Sequence, residues 1–280
     1  YFNPTGTLST WYEGAEVGDI WGYTVNDLFR SQEDLDSYLS KVDMTHIAAN
    51  WNTGDLKYED INHDGKVNNG TNTIGNHGDL SVIGNDQPHY QYTINGGVSY
   101  KGFDFSMLWR GVAKKDMYFY RGSNIYWGFM GGWWESCLTP EHLDYFRDQP
   151  GSKYSGLYEG DANINTDAYW PRPYLNNTEE AKNKNHANTR YLQNAAYLRL
   201  QNVQLGYSFP LSITSKMHLE KLRIYFSGDD LLTFSKLPSG VDPVATGGFT
   251  TGGEFFGTAG SGRFAYGADR IYSIGLTVTY

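Results

Sequence analysis

Apolar and polar residues alternate strictly along residues 271–280. Tyr272, Ile274, Leu276, Val278 and Tyr280 fall on one side, and Ser273, Gly275, Thr277 and Thr279 on the other. A period of two marks a β-strand with unlike faces. The same rhythm recurs upstream, where Tyr90, Tyr92, Ile94, Gly96, Val98 and Tyr100 alternate with Gln91, Thr93, Asn95, Gly97 and Ser99. After Lys101-Gly102, Phe103, Phe105, Met107 and Trp109 alternate with Asp104, Ser106, Leu108 and Arg110. Two such runs joined at so short a step predict a hairpin. Val203, Leu205, Tyr207 and Phe209 form another apolar row, and Leu222, Ile224 and Phe226 a further one. Leu198 and Leu200 stand in the opposite phase, which predicts a β-bulge near Gln201 and Asn202. Five strands result, at 90–100, 102–112, 195–209, 221–231 and 271–280.

Between the strands the pattern changes. Residues 1–30 are aromatic and glycine-punctuated without strict alternation, which predicts extended structure. From Ser31 to Val42, a capping serine, acids in the first turn and Leu35, Tyr38, Leu39 and Val42 at helical spacing predict a short surface helix. Residues 50–87 are dominated by Asn, Asp, Gly and His and read as a long loop. Residues 113–190 form a second irregular region, in which Thr139-Pro140 opens a short helix. A third loop, 232–270, is glycine-rich.

The connections are thus a very short turn, about eighty residues, about ten and about forty. Short turns on one side, long loops on the other and aromatics at both ends of the apolar faces predict an all-β fold, an antiparallel transmembrane β-barrel. Short turns would be periplasmic and long loops extracellular, leaving the last strand running inward to a periplasmic C-terminus. Ten residues also suit a tilted spanning strand. Five strands cannot close such a barrel, for which about eight is the lower limit, so the chain reads as the C-terminal part of a larger one. Its layout is then 1–89 extracellular loop region, 90–112 hairpin, 113–194 extracellular loop, 195–231 hairpin, 232–270 extracellular loop and 271–280 terminal strand.

Composition supports the strands. Aromatics make up 16% and Gly numbers 33, while hydrophobic residues total only 39% of the 280 residues, a mix rich in strand and turn formers. A net charge of -9 leaves no basic surface for phosphates, which argues against a nucleic-acid partner. Acidic, Asn-rich loops suit sugars, peptides or cations better. The lone Cys137 has no second thiol for a disulfide or a metal site. No apolar run is long enough for a transmembrane helix. The opening Tyr-Phe-Asn-Pro carries no signal-peptide pattern, and the chain is expected to be a mature piece or a fragment of something larger.

Particular blocks carry a family resemblance. They are Glu16-Val-Gly18-Asp-Ile-Trp-Gly22-Tyr23, Gly54-Asp55-Leu-Lys-Tyr58-Glu-Asp60-Ile-Asn62-His-Asp64-Gly65, Ile83-Gly84-Asn85-Asp86-Gln-Pro88-His-Tyr90 and Tyr100-Lys-Gly102-Phe-Asp104-Phe. Tyr197-Leu-Arg199-Leu-Gln-Asn202, Leu222-Arg223-Ile-Tyr225-Phe-Ser-Gly228-Asp-Asp230-Leu231 and the terminal Tyr280 continue the series. In this order they resemble SusC-like (SusC/RagA) TonB-dependent outer-membrane transporters of Bacteroidetes. The resemblance implies a 22-stranded barrel filled by an N-terminal plug, driven by TonB and capped by a SusD-like surface lipoprotein that helps capture glycans or peptides. The plug, the TonB box and most strands are absent from this sequence. Partners implied are therefore the SusD-like lipoprotein, TonB through the missing part, the remaining barrel and plug, and outer-membrane lipid.

Two motifs bear on ligands. Asp60-x-Asn62-x-Asp64-Gly65 has the spacing of the first three oxygen ligands of an EF-hand calcium loop, with Gly for the sharp turn. Position 12 is Thr71 rather than Glu, so Ca2+ or Mg2+ would need another acid, such as Asp79, or water. The competing reading is a set of Asx turns stabilised by side-chain to backbone hydrogen bonds. Trp127, Trp133, Trp134 and Trp170 are candidates for stacking on sugar rings or a lid partner, against a loop core or interface girdle. Asp229-Asp230 are expected where a strand leaves the barrel. No catalytic constellation emerges, so an importer is favoured over an enzyme. The alternatives are a secreted β-sandwich carbohydrate-binding module and a purely structural or adhesive barrel fragment.

Overall fold

The computed structural model describes residues 3–119, 124–128, 139–153, 158–174, 177–244 and 268–280. Its strands are β1 (Asp19–Tyr23), β2 (Val25–Leu28), β3 (Leu56–Tyr58), β4 (Leu80–Asn85), β5 (His89–Tyr100), β6 (Phe103–Lys114), β7 (Asp116–Tyr118), β8 (Leu192–Asn194), β9 (Tyr197–Ser208), β10 (Lys221–Ser235) and β11 (Ile271–Thr279). Its helices are α1 (Gln32–Leu39), α2 (Asn124–Trp127), α3 (Asn177–Lys184) and α4 (Leu211–Thr214). None of the helices among the described residues is long and apolar enough to cross a membrane. Two compact units are present, the sheet unit being Pro88–Lys115 with the described parts of Asn194–Ala245 and Tyr266–Tyr280.

The sheet unit is one five-stranded sheet in the order β11-β10-β9-β6-β5, every neighbouring pair antiparallel. All five strands predicted from alternation are present, shifted by a few residues at their ends. The β5–β6 turn has φ of 47° at Lys101 and 89° at Gly102, the two positive values a two-residue type I′ hairpin needs. The bulge is where the reversed phase requires it. Leu108 pairs with Asn202 and Trp109 with Leu200, leaving Gln201 unopposed on β6. Skipping one residue returns Leu198 and Leu200 to the face of Val203 and Leu205. On the other side of β9, Asp229 pairs with Asn202 and Leu232 with Leu200. Asp229 and Asp230 therefore lie inside β10 rather than at its exit, because the strand runs on to Ser235. Asn202 Nδ2 donates to Asp229 at 2.6 Å, and Asp230, at φ 53°, lies 3.7 Å from Arg199.

The other unit is more structured than its loop-like sequence suggests. β1 pairs with β4 and β2 with β3, so the expected loop at 50–87 contributes two strands. These strands hold three to six residues, too few to show a period. α1 begins after Ser31 as expected, and the Asp34 N–H donates to Ser31 Oγ at 3.2 Å. The Thr139-Pro140 start is a single 3-10 turn, Pro140–Leu143, and α3 carries no apolar stripe that would have announced it.

Its core is aromatic: Phe29, Tyr58, Phe119, Trp127 and Tyr191 are fully buried together with Leu28, Met44, Leu56 and Val67. Trp127 and Tyr191 meet edge to face at 5.0 Å, and Trp170 stacks on Tyr191 at 5.5 Å. One ion pair is buried with them. Lys182 Nζ donates to Asp55 Oδ2 at 2.7 Å, to Asn50 O at 2.9 Å and to Glu179 Oε2 at 3.1 Å, which uses all three ammonium protons. Asp55 also accepts from the Asn52 N–H, the Tyr174 hydroxyl and Asn183 Nδ2, at 2.7, 2.8 and 2.9 Å. Both charged side chains have 0% exposure, so every lone pair and proton must be matched within the protein. The pair joins the β3 segment to α3.

Lys182→Ala should leave Asp55 buried and unpaired, at a cost of about 3–5 kcal/mol. Hydrogen exchange should then accelerate across 50–58 and 177–184, whereas a double Asp55→Leu, Lys182→Met variant should retain most of the protection. Burial pushes the His186 imidazole below its ordinary value, and nearby His46 adds to the shift. A histidine kept neutral in the fold but not in the unfolded chain contributes stability above its unfolded value of 6.5, lost as pH falls through that value toward the folded one. Protection of this unit should therefore decline below about pH 6.5, and less so in His186→Gln.

Candidate functional site

Direct cross-strand partners share a face of a sheet, so the ladder registers define both faces of the sheet unit. One face carries Tyr92, Ile94, Val98 and Tyr100 of β5, Phe103, Phe105, Met107 and Trp109 of β6, and Leu198, Leu200, Val203, Leu205 and Tyr207 of β9. It continues through Leu222, Ile224, Phe226, Leu232 and Phe234 of β10 to Tyr272, Ile274, Leu276 and Val278 of β11. No charged residue interrupts it. Every strand contributes exposed side chains to this face, from Tyr92 and Phe105 at 37% to Ile274 at 82%, while Met107, Trp109, Leu198, Val203, Tyr207 and Leu222 are half-buried and Leu200 is buried at 9%. Trp109 stacks on Phe234 at 6.3 Å toward one end, and Phe103 meets Tyr207 at 4.6 Å at the other.

The opposite face is polar and bonded across strands. Arg223 Nε donates to Asp104 Oδ1 at 3.0 Å, while a second guanidinium nitrogen donates to Asp104 Oδ2 and, at 2.8 Å, to Gln204 Oε1. The guanidinium also lies over the Tyr225 ring, 4.9 Å from its centroid. Glycine makes room for this cluster: a Cβ on Gly206 would stand 2.5 Å from Arg223 and 2.6 Å from Asp104. At the far end of this face Arg199 Nε donates to Thr233 Oγ1 at 2.9 Å and the guanidinium pairs with Asp242. Asp242 accepts the N–H groups of Val244 and Ala268, so one carboxylate ties both ends of the β10–β11 connection to β9. Burial raises the Asp242 carboxyl, but those N–H groups and Arg199 outweigh it and hold the group below the usual carboxylate range. A groove of about 360 Å³ opens beside this end, lined by Tyr92, Val112, Tyr197, Phe234 and Lys236 among others. Such a face can bind polar solutes by hydrogen bonds and charge; it assembles no nucleophile with a base.

The described candidate ligand residues singled out by sequence belong to the other unit. Asp60 Oδ2 accepts the Gly65 N–H at 2.8 Å and Asp60 Oδ1 the Asp64 N–H at 3.2 Å. Asn62 Oδ1 accepts the Asp64 N–H at 2.9 Å, and Asp64 Oδ1 that of Lys66 at 2.9 Å. Asp79, fully buried, accepts the N–H groups of Ile61, Asn62 and Asn68. Asx turns and the Asp79 carboxylate thus satisfy the backbone N–H groups of this loop. Among the described residues no group of three or more His, Cys, Asp or Glu stands where it could hold a metal. Trp127 and Trp170 lie in the aromatic core at 0% and 4% exposure, their indole N–H groups donating to Phe119 O and Glu141 O. Trp133 and Trp134 lie outside the described residues. Alternation placed Asp104, Gln204 and Arg223 on the polar face, but their meeting depends on the β6–β9–β10 register, for which the sequence has no local signal.

Comparison with known proteins adds context. No family model matches the chain. It is 24% identical over 237 residues to TonB-dependent receptor P3 of Formosa agariphila, covering 83% of this chain, and 23% identical over 274 residues to TonB-dependent receptor P26 of the same organism, covering 95%. It spans only 19% and 23% of the length of those relatives. Among solved structures, the RagAB peptide transporter matches over 100% of this chain and 24% of its own, with a TM-score of 0.54 at 15% identity. The RagAB peptide importer in its open-open state gives 0.52 at 17% identity, over the same shares. These relatives are named receptors and importers, not enzymes. The chain resembles part of a SusC/RagA-like TonB-dependent transporter, in sequence to the receptors and in fold to RagAB.

Gly206→Val should displace the Arg223–Asp104 pair and destabilise the sheet by about 1–3 kcal/mol through overpacking, read as a lower temperature of thermal unfolding. Gly75→Val, with no atom within 4 Å of its Cβ and no positive φ, is a control for β-branching. In the Asp60 loop, Asx turns alone predict that Asp60→Ala speeds amide exchange across 60–68 equally with and without added calcium. Calcium-dependent protection of the wild-type loop would show an ion there.

Proposed function

We infer that the chain is the C-terminal part of the barrel of a SusC-like, TonB-dependent outer-membrane importer, working by ligand-gated passage of a glycan or peptide together with a SusD-like surface lipoprotein. The observation that carries this reading is the uninterrupted apolar face of an open five-stranded sheet, exposed across all its strands. A contiguous apolar surface of that extent has no place in water on a soluble monomer. From Tyr92 to Tyr100 the band runs nine residues, about 27 Å along the strand. Tilt shortens its height to about 20 Å, comparable with the apolar band of about 25 Å between aromatic girdles. Lipid would lie against this face and the polar face would line the lumen, where Asp104, Gln204, Arg223 and Arg199 would meet solute or the other parts of the transporter.

The names of the relatives and the RagAB folds support the TonB-dependent and importer parts of the reading. The RagAB titles speak of peptides, which makes oligopeptides the first substrates to try. A β-sandwich module would bury the apolar face against a second sheet, and the described residues supply no such cover.

Lipid and lumen faces should tolerate charge differently. Leu276→Arg in the full-length transporter should cost about 2–4 kcal/mol at the bilayer midplane and block assembly into outer membranes, whereas Thr277→Arg, one residue on and facing the other way, should assemble normally. Membrane fractionation and heat-modifiable migration read both. Equal tolerance, or a protein monodisperse without detergent, would support the sandwich reading. Uptake of labelled oligopeptides or glycans by cells carrying the transporter should stop when energy coupling is removed.

A further inference from the structure

We propose that the short-turn end of the five-stranded sheet is a docking surface for the headgroup of an anionic phospholipid. The inference rests on the membrane reading above and adds a partner to it. Three segments meet at this end by the ladder itself: the Lys101-Gly102 turn, the β9–β10 connection, and the last residues of β11. Ser208 N donates to Gly102 O at 2.7 Å, and Glu220 N to Thr279 O at 2.8 Å. Lys101 and Lys216 lie in these segments and Lys221 opens β10 beside them; Glu220 is the acid of the segments, and the nearby Asp104 is paired with Arg223, in a chain whose net charge is -9. A local sign opposite to that of the whole chain attracts a phosphate and is hard to explain as generic solubility.

The apolar surface continues onto this end. The rings of Phe103 and Tyr207 meet at 4.6 Å, and those of Tyr207 and Phe209 at 5.1 Å, a row leading off the apolar face to Pro210. There α4 and the 3-10 turn Ser215–Met217 begin. Thr214 is their buried residue, while Leu211 and Met217 are 71% and 55% exposed. An apolar helical turn flanked by lysines, continuous with a lipid-facing surface, has the character of an interfacial segment. Lys101 Nζ lies 5.2 Å from the centre of the Tyr100 ring, so its charge is held beside an aromatic suited to headgroup depth. Fatty chains would lie along the apolar face, with the phosphate between the lysines. Short turns face the periplasm in barrels of this kind, which makes the inner leaflet the source of the lipid.

The test uses the full-length transporter in detergent, incubated with equal amounts of phosphatidylglycerol and phosphatidylcholine, with bound lipid counted by native mass spectrometry. The wild type should retain phosphatidylglycerol preferentially. Lys216→Gln should weaken that retention by about fivefold, the share of one lysine near an anionic surface, and K101Q/K216Q/K221Q by considerably more, phosphatidylcholine binding and heat-modifiable migration staying unchanged. Higher ionic strength should reduce the preference in the wild type only. Leu211→Ser with Met217→Ser should lower retention of both lipids. Equal retention of the two lipids by the wild type, an unchanged preference in the triple variant, or displacement of the lipid by millimolar inorganic phosphate would overturn the proposal. A transporter that binds neither lipid and stays soluble without detergent would overturn the membrane reading itself, and so is distinguishable from failure of the lipid site.

Discussion

Register between antiparallel strands is the constraint on which the sheet unit depends. Side chains alternate with a period of two, so a one-residue slip between any two strands would exchange lipid-type and lumen-type faces over the rest of the sheet. Four ladders hold one phase from Tyr92 on β5 to Tyr272 on β11. The bulge at Gln201 belongs to that constraint. Without the skipped residue, Leu198 and Leu200 would turn toward Arg199's present neighbours Thr233 and Asp242, and Arg199 would enter the apolar face.

The second unit obeys a different rule. Among its described residues no strand is longer than six residues, and it folds around side chains: a stack of Tyr and Trp rings, and a Lys182–Asp55 pair whose donors and acceptors are all used. A buried pair of this kind adds little net stability over a well-packed apolar substitute, but it tolerates few alternative arrangements once one partner is present. It thereby fixes α3 against the β3 segment. The same economy appears in the Asp60 loop, where Asp79 satisfies three backbone N–H groups that lie among glycines and asparagines. Polar side chains here do the work that a ladder does in the sheet.

The two faces of the sheet divide apolar from charged side chains. Charge lies on one face, where Arg223 pairs with Asp104 and Arg199 with Asp242. Paired charges and amides can offer a path to a polar solute through exchange of hydrogen bonds. Of the loop tryptophans, Trp127 and Trp170 are packed ring to ring in the aromatic core.

Alternation alone determined the five long strands, their two faces, the hairpin at Lys101-Gly102 and the bulge near Gln201, because each of these is encoded by neighbours a few residues apart. Ser31 and the acids after it likewise marked the start of α1. β1 and β2 fall where extended structure was expected, but their bounds, and the strands β3 and β4 in the expected loop, were illegible, since three to six residues show no period and the pairing of β1 with β4 and β2 with β3 spans tens of residues. The partner of Lys182 was equally hidden: Asp55 lies more than a hundred residues away, and a lysine in a polar helix reads as solvated. Only tertiary structure decided that Asp60 and Asp64 hold turns, that Asp229-Asp230 sit inside β10, and that Arg223 meets Asp104 across a glycine. The physical reason is common to all of them. A residue's periodic environment is written locally, whereas the identity of the group that satisfies its charge or its hydrogen bonds is set by which distant strands are brought into register.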